Sequence, residues 1–314
     1  MKSGSAIFEL GVTIRNVLYD HRIFRARRLR GPVISVGNIS VGGSGKTPFV
    51  IMLGELLLAL GIKFDVLSRG YGRQGRGVAL VDADGTRDEF GDEPLLIASK
   101  LNVPVIVGKD RFEAGVFAEE RFGAEVHLLD DGFQHRALAR DFDIVLMNAE
   151  DAEDRLLPSG RLREPVSSLR RADAVVFTND KSPELFPVGD KSIWRVRRGI
   201  ALLDVPTRPV AFCGIARPQN FVSQLREAGI VPVAELFYGD HHAYVERDME
   251  DLRRLREKHK GNGFVTTEKD AINLGQLRSA LDPLSVVPVT LELADAANAV
   301  DIMLRVIRER KARA

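Results

Sequence analysis

The 314-residue sequence predicts an α/β protein: a mainly parallel sheet covered by helices, a second, smaller α/β lobe, and an amphipathic helix at the N-terminus. Three observations predict it. Short β-rich runs alternate with amphipathic helical stretches after residue 30. Most of those runs are apolar throughout, as strands buried on both faces must be. One of them runs directly into a glycine-rich turn that opens a helix.

The N-terminal stripe consists of Ile7, Leu10, Ile14, Val17 and Leu18 at helical spacing, widened by Phe8 and Tyr19. Arg15, Arg22, Arg25, Arg27, Arg28 and Arg30 accompany or follow it. Two readings fit these residues. A basic amphipathic helix can lie in a membrane interface, where each arginine near an anionic leaflet contributes about 1 kcal/mol. The same stripe can instead pack on the body of its own protein.

Residues 32–36 read as the first strand and 47–60 as a helix ended by Gly61. Strands follow at 64–68, 104–107, 126–129, 144–147 and 174–178, with helices at 94–101 and 111–122. Residues 78–81, beside the glycine-rich stretch 70–77, look like a hairpin or excursion. A second series has strands at 193–196, 210–213, 231–236, 264–267 and 285–290, and helices at 218–228, 247–258 and 295–308. The chain therefore divides into an N-terminal helix (1–30), a core (31–190) and a second lobe (191–314), with a Pro-, Lys- and Asp-rich boundary at 180–190.

Composition is that of a soluble globular protein, 45% hydrophobic and 28% charged, with a formal net charge of +1. Nothing in that balance signals nucleic acid, and no obligate protein partner is evident. The apolar stretches are broken by charges short of the ~20 residues a spanning helix needs. Cys213 is the single cysteine, so no intramolecular disulfide can form, which fits a reducing cytosol. Its place in the apolar run 209–213 reads as a buried strand thiol.

The first strand continues into Gly42-Gly43-Ser44-Gly45-Lys46-Thr47 and a helix. Backbone N–H groups of such a turn wrap a phosphate, and the helix start adds its positive dipole end. The expected ligand is a nucleoside triphosphate with Mg²⁺, and the core is P-loop NTPase-like. Lys46 would reach the β/γ-phosphates and the Thr47 hydroxyl would ligate the metal. Ser40 stands where the usual pattern has glycine. The apolar run 126–129 ends in Asp130-Asp131, where a carboxylate can hold Mg²⁺ or its bound water.

Seven strings now coincide in order. They are Val36 to Pro48 around the loop, Ser68-Arg-Gly-Tyr-Gly-Arg73, Gly91-Asp-Glu-Pro94, Asp130-Asp-Gly-Phe-Gln-His135, Leu156 to Pro165, Asp240-His-His-Ala-Tyr244 and Thr266-Thr-Glu-Lys-Asp270. Together they resemble the tetraacyldisaccharide 4'-kinase family, the lipid A 4'-kinases of Gram-negative bacteria, to about residue 275. Serine at position 40 is common in that family. The resemblance implies transfer of the ATP γ-phosphoryl group to the 4'-hydroxyl of a tetraacylated glucosamine disaccharide 1-phosphate. It also implies work at the cytoplasmic face of the inner membrane, and it favours the membrane reading of the N-terminal helix.

Roles can then be assigned. Lys46 and the loop amides neutralise charge, and Mg²⁺ is held by Thr47 with one of Asp130, Asp131 or Glu164. Asp92 opens a helix, so on the residues alone it is a cap or a base; the resemblance makes it the base that takes the hydroxyl proton. His241 or His242 orients Asp92, with His241 preferred. Arg111 and Arg163 are candidate phosphate clamps. Tyr71, Arg73 and His135 join the substrate and phosphate set. The 266–270 string is a candidate contact for the adenine. The rivals are a GTPase or ATPase switch without a lipid substrate, and a peripheral membrane protein that binds nucleotide for stability alone.

Overall fold

The structure, a computed structural model, describes residues 2–178, 183–202 and 204–313. The chain begins with α1 (Lys2–Asp20), β1 (Val33–Asn38), α2 (Lys46–Ala59), β2 (Phe64–Ser68) and the short β3 (Ala79–Leu80). There follow α3 (Arg87–Phe90), α4 (Asp92–Lys100), β4 (Val105–Val107), α5 (Arg111–Arg121), β5 (Val126–Asp130), β6 (Phe142–Met147), β7 (Ala174–Phe177) and β8 (Ser192–Ile200). Next come β9 (Pro209–Cys213), α6 (Pro218–Glu227), β10 (Ala234–Phe237), α7 (Glu246–Lys258), β11 (Gly263–Thr267) and α8 (Glu268–Leu274). β12 (Leu284–Val287), β13 (Val289–Leu293) and α9 (Ala296–Arg313) complete the chain.

Two sheets result. The nine-stranded sheet has the order β13-β8-β7-β6-β1-β5-β2-β4-β3, and the four-stranded sheet the order β10-β9-β11-β12. Pairings from β4 across to β8 are parallel; β3 and β13 close the edges antiparallel. Every residue of β1, β2, β5 and β6 is buried, which is why these strands read as continuous apolar runs. β1 lies between β5 and β6, so its carboxyl end opens beside the carboxyl end of β5. Open α/β sheets bind ligands at such ends.

The second lobe is smaller than the expected 191–314. β8 runs parallel to β7, and its Trp194 and Val196 enter the large core, where Trp194 stacks on Phe142 at 5.9 Å. The expected strand 285–290 is two strands parted by Pro288, which has no N–H to continue a ladder. β12 pairs with β11 in the small sheet, while β13 pairs with β8 in the large one. α9 then returns Val300, Met303 and Ile307 to the large core. Of the expected boundary segment 180–190, residues 180–182 lie outside the described residues. We propose 209–287 as the small lobe.

α1 docks by one face only. Val12 and Asn16 are buried, and Phe8 packs against the core cluster to which Ile39 and Phe133 belong. Ile7, Leu10, Ile14 and Val17 face outward, 69%, 60%, 50% and 44% exposed. Among the described residues no helix is long and apolar enough to cross a membrane. Cys213 lies in β9, and burial pushes its thiol up to about 12.

Candidate active site

Two groups of side chains meet where the lobes face each other. The first surrounds the glycine loop. Gly42, Gly43 and Gly45 all have positive φ, which turns successive N–H groups inward. Gly45, at φ 80°, caps α2 in the left-handed conformation, and a Cβ placed there would meet nothing within 4 Å. Gly42 and Gly43 are instead closely backed by the small lobe, where a Cβ would meet Ala216 at 2.7 Å and Arg217 at 2.8 Å. At the edge of the loop the Lys46 ammonium donates to Asn38 Oδ1 at 3.2 Å and lies 3.5 Å from Asp131.

Asp131 also accepts two hydrogen bonds from Arg163, both 2.9 Å. Burial would raise its carboxyl, but Lys46 and Arg163 outweigh that and hold it far below the usual carboxylate range. Asp130 is its opposite. Ser68 donates to one oxygen at 3.0 Å, and the other, Oδ1, has no hydrogen-bond partner among the described residues. Burial, then Glu93 and Asp131, push its carboxyl up. A buried acid raised by acidic neighbours is a place where a divalent cation is stabilised. Ser44 Oγ and Asn38 Nδ2, at the loop, are likewise buried without partners among the described residues. This donor set fits a triphosphate with Mg²⁺, the remaining ligands being phosphate and water.

Glu164 does not join the metal set. It is fully buried beneath α1, where one oxygen accepts from Arg15 at 3.0 Å and the other from Asn16 and Arg171 at 3.0 and 2.9 Å. Three donors to a buried carboxylate make it the anchor of the N-terminal helix. Arg111 is buried with an unpartnered Nε, close enough to Asp130 and Asp131 to feel their charge. Burial and then Arg111 carry His135 down to about 4, so it is neutral at pH 7.

The second group centres on Asp92, the first residue of α4 and 3% exposed. The cap itself is Gly91, whose φ of 89° brings the start of α4 against the Gly70–Tyr71 backbone; a Cβ there would lie 2.8 Å from the Tyr71 carbonyl oxygen. Asp92 Oδ1 accepts the Glu93 N–H at 2.9 Å. Oδ2 lies 2.8 Å from His241 Nδ1 and 3.5 Å from Asn273 Nδ2. Lys269 Nζ stands 3.7 Å from the same oxygen, 3.3 Å from Glu93 and 3.2 Å from His241 Nε2. Burial would raise Asp92, yet the His241 hydrogen bond and the Lys269 charge bring it down to about 2.

The adjacent histidines separate cleanly. His241 has a φ of 57° and turns its ring to Asp92, with the ring of Tyr71 at 5.4 Å. Its carbonyl and that of His242 accept from Arg87 at 3.4 and 3.0 Å, which ties this loop of the small lobe to α3. His242 instead stacks on Tyr238 at 4.4 Å and binds Asp248 at 2.9 Å. Tyr71 itself is 62% exposed, whereas Arg73 turns back to the Gly77 carbonyl of its own loop.

The 266–270 string, expected at the adenine, is largely taken up by contacts within the protein. Thr267 caps α8, and Asp270 is buried on Gly214 N–H and Tyr244 OH at 2.7 and 2.8 Å. Its lysine serves the Asp92 group. Sequence reasoning missed Lys269 in that role, and also Asn38, Asn273 and Arg87. Asn38 carried a signal, a polar residue ending an apolar strand; the others become visible once the lobes face each other.

Comparison with known proteins agrees with this geometry. The family model for "Tetraacyldisaccharide-1-P 4'-kinase" matches residues 2–308. A protein of Koribacter versatilis named tetraacyldisaccharide 4'-kinase is 51% identical, over 98% of each chain. One of Geobacter metallireducens with the same name is 38% identical, over 93% of each chain. A crystal structure of LpxK from Aquifex aeolicus in complex with ATP is 34% identical, covers 97% of this chain and 98% of its own, and has a TM-score of 0.81. The chain belongs to the tetraacyldisaccharide-1-P 4'-kinase family.

Proposed function

From that membership we infer that the chain is a tetraacyldisaccharide 4'-kinase, moving the γ-phosphoryl group of ATP to the 4'-hydroxyl of a tetraacylated glucosamine disaccharide 1-phosphate. The observation that carries this reading, beyond family, is that Glu93, next to Asp92 and paired with Lys269, is near enough to Asp130 for its charge to raise that carboxyl. A nucleotide switch has no use for the Asp92–His241 pair, and the relatives named above do not favour that alternative.

The bond that forms joins O4' to the γ-phosphorus; the bond that breaks joins that phosphorus to the β–γ bridging oxygen. The hydroxyl proton passes to Asp92, which His241, Lys269 and Asn273 hold ionised and aligned. Lys46 and the loop amides receive the phosphates, and Arg163 keeps Asp131 from capturing Lys46 outright. Arg111, buried and partly unpartnered, serves the transferring group. Magnesium, when bound, neutralises charge on the β and γ oxygens, and Thr47 with Asp130 would hold it.

α1 lies in the cytoplasmic surface of the inner membrane, its outward stripe in the interface. The solvent-facing Ile7, Leu10, Ile14 and Val17 support this reading, because a helix kept for packing would turn them inward. Purified chain given γ-labelled ATP and the lipid disaccharide is expected to yield labelled lipid. Release of inorganic phosphate alone would overturn the kinase reading in favour of an ATPase switch.

A further inference from the structure

A cavity of about 660 Å³ lies at the foot of α1, and its lining shares no residue with the site above. Arg22, Arg25, Arg28, Arg136 and Arg140 line it, together with Phe24. Three of the arginines are neutralised: Arg28 by Asp141 at 2.7 Å, Arg136 by Asp20 at 2.7 Å and Arg140 by Asp143 at 3.2 Å. Arg22 and Arg25 are exposed and have no acidic partner among the described residues. Two uncompensated cations therefore stand at a concave, arginine-lined surface. Asp141 directly precedes β6, so Arg28 marks the amino ends of the strands, opposite the ends that carry the glycine loop.

Exposed apolar side chains, Phe24 in the lining and its neighbour Ile23, lie beside these arginines. Ile23 is 65% exposed and Phe24 47%, and they continue the outward stripe of α1 through Val17. Concave positive charge bordered by exposed hydrocarbon matches an anion that carries acyl chains. We propose that this cavity binds the phosphate-bearing headgroup of an anionic glycerophospholipid, its chains lying along Phe24, Ile23 and α1. The inference rests on the reading of α1 as a membrane-interface helix and adds a headgroup preference to it. Arg22 and Arg25 grip the phosphate, and the paired arginines shape the floor. The bilayer lipid then sets how the chain sits on the surface, independently of the lipid it phosphorylates.

Co-sedimentation of the full chain with phosphatidylcholine vesicles, with and without phosphatidylglycerol, tests this. Phosphatidylglycerol is expected to strengthen binding. Arg25→Gln should weaken it roughly fivefold on phosphatidylglycerol vesicles, and Arg22→Gln with Arg25→Gln roughly twentyfold. Both variants should bind pure phosphatidylcholine as the parent does. Arg30→Gln removes an exposed arginine outside the cavity and is expected to have the smaller effect. A loss for Arg30→Gln as large as that for Arg25→Gln would reduce the site to diffuse charge and overturn the proposal. A parent chain indifferent to phosphatidylglycerol, or one that binds no vesicle, also overturns it. Failure of the function reading looks different: no labelled lipid from the parent chain while the Arg25 effect persists.

Discussion

The ammonium of Lys269 stands 3.2 Å from Nε2 of His241. An ammonium has only protons to give, so Nε2 accepts and the ring keeps its proton on Nδ1, which donates to Asp92 Oδ2 at 2.8 Å. His241, Lys269 and Asn273 all approach that one oxygen. Among the described residues Oδ1 accepts the Glu93 N–H alone, and it is the oxygen left for a substrate proton.

Asp92→Asn is expected to bind nucleotide normally and to lose about 10²–10⁴-fold in turnover, read by label transfer beside equilibrium ATP binding. It also has a stability signature. The Asp92 carboxyl is lowered from 3.8 to about 2, so its ionised form favours the fold above pH 4 and that benefit disappears as pH falls through 2. The benefit is worth about 2 kcal/mol. Denaturant unfolding should show the parent's advantage over Asp92→Asn narrowing between about pH 4 and pH 2.

Lys269→Met removes the charge that helps hold Asp92 down. The acid limb of the kcat/KM profile should move to higher pH, with the KM for ATP little changed. Lys269→Arg should restore most of the original profile. An unshifted limb in the Met variant would assign Lys269 a purely structural role.

Histidines 241 and 242 should behave as different kinds of residue. His241→Ala is expected to lower kcat and, because its hydrogen bond does most to lower the Asp92 carboxyl, to give up part of the stability that Asp92 contributes above pH 4. His242→Ala loses the Tyr238 stack and the Asp248 bond and should cost roughly 1–2 kcal/mol in thermal or denaturant unfolding.

Arg163 and Lys46 compete for Asp131. Lys46→Ala should lower kcat/KM for ATP by roughly 10²–10³-fold. Arg163→Ala leaves Asp131 free to tighten on Lys46 and should weaken ATP use as well. Adding Asp131→Asn to Arg163→Ala should recover part of that loss, a non-additivity readable in a double-mutant cycle.

Leu10→Asp with Ile14→Asp alters only the outward face of α1, so unfolding should shift within about 0.5 kcal/mol. Vesicle binding should drop at least about tenfold, since two large apolar side chains no longer enter the interface. Unchanged vesicle binding would remove the membrane role from this helix.

The parallel sheet was legible because its strands are buried on both faces, and β1, β2, β5 and β6 wrote that burial into unbroken apolar runs. The glycine loop was legible because positive φ demands glycine at 42, 43 and 45. Asp92 and His241 are 149 residues apart, and their pairing rested on the family pattern until the lobes were seen face to face. The place of Glu164 was hidden because two of its three donors, Arg15 and Asn16, come from the far end of the chain. The sequence places β8 and β13 with the second lobe, whereas both pair in the large sheet, because half-buried strands show the same alternation in either sheet.

Pro288 parts β12 from β13, and its carbonyl accepts the Ala201 N–H at 3.0 Å just beyond the end of β8. Both crossings between the lobes therefore run side by side, like the two leaves of one door hinge. A rotation about that pair would break no ladder in either sheet, yet it would part His241 and Lys269, both carried by the small lobe, from Asp92 in one step.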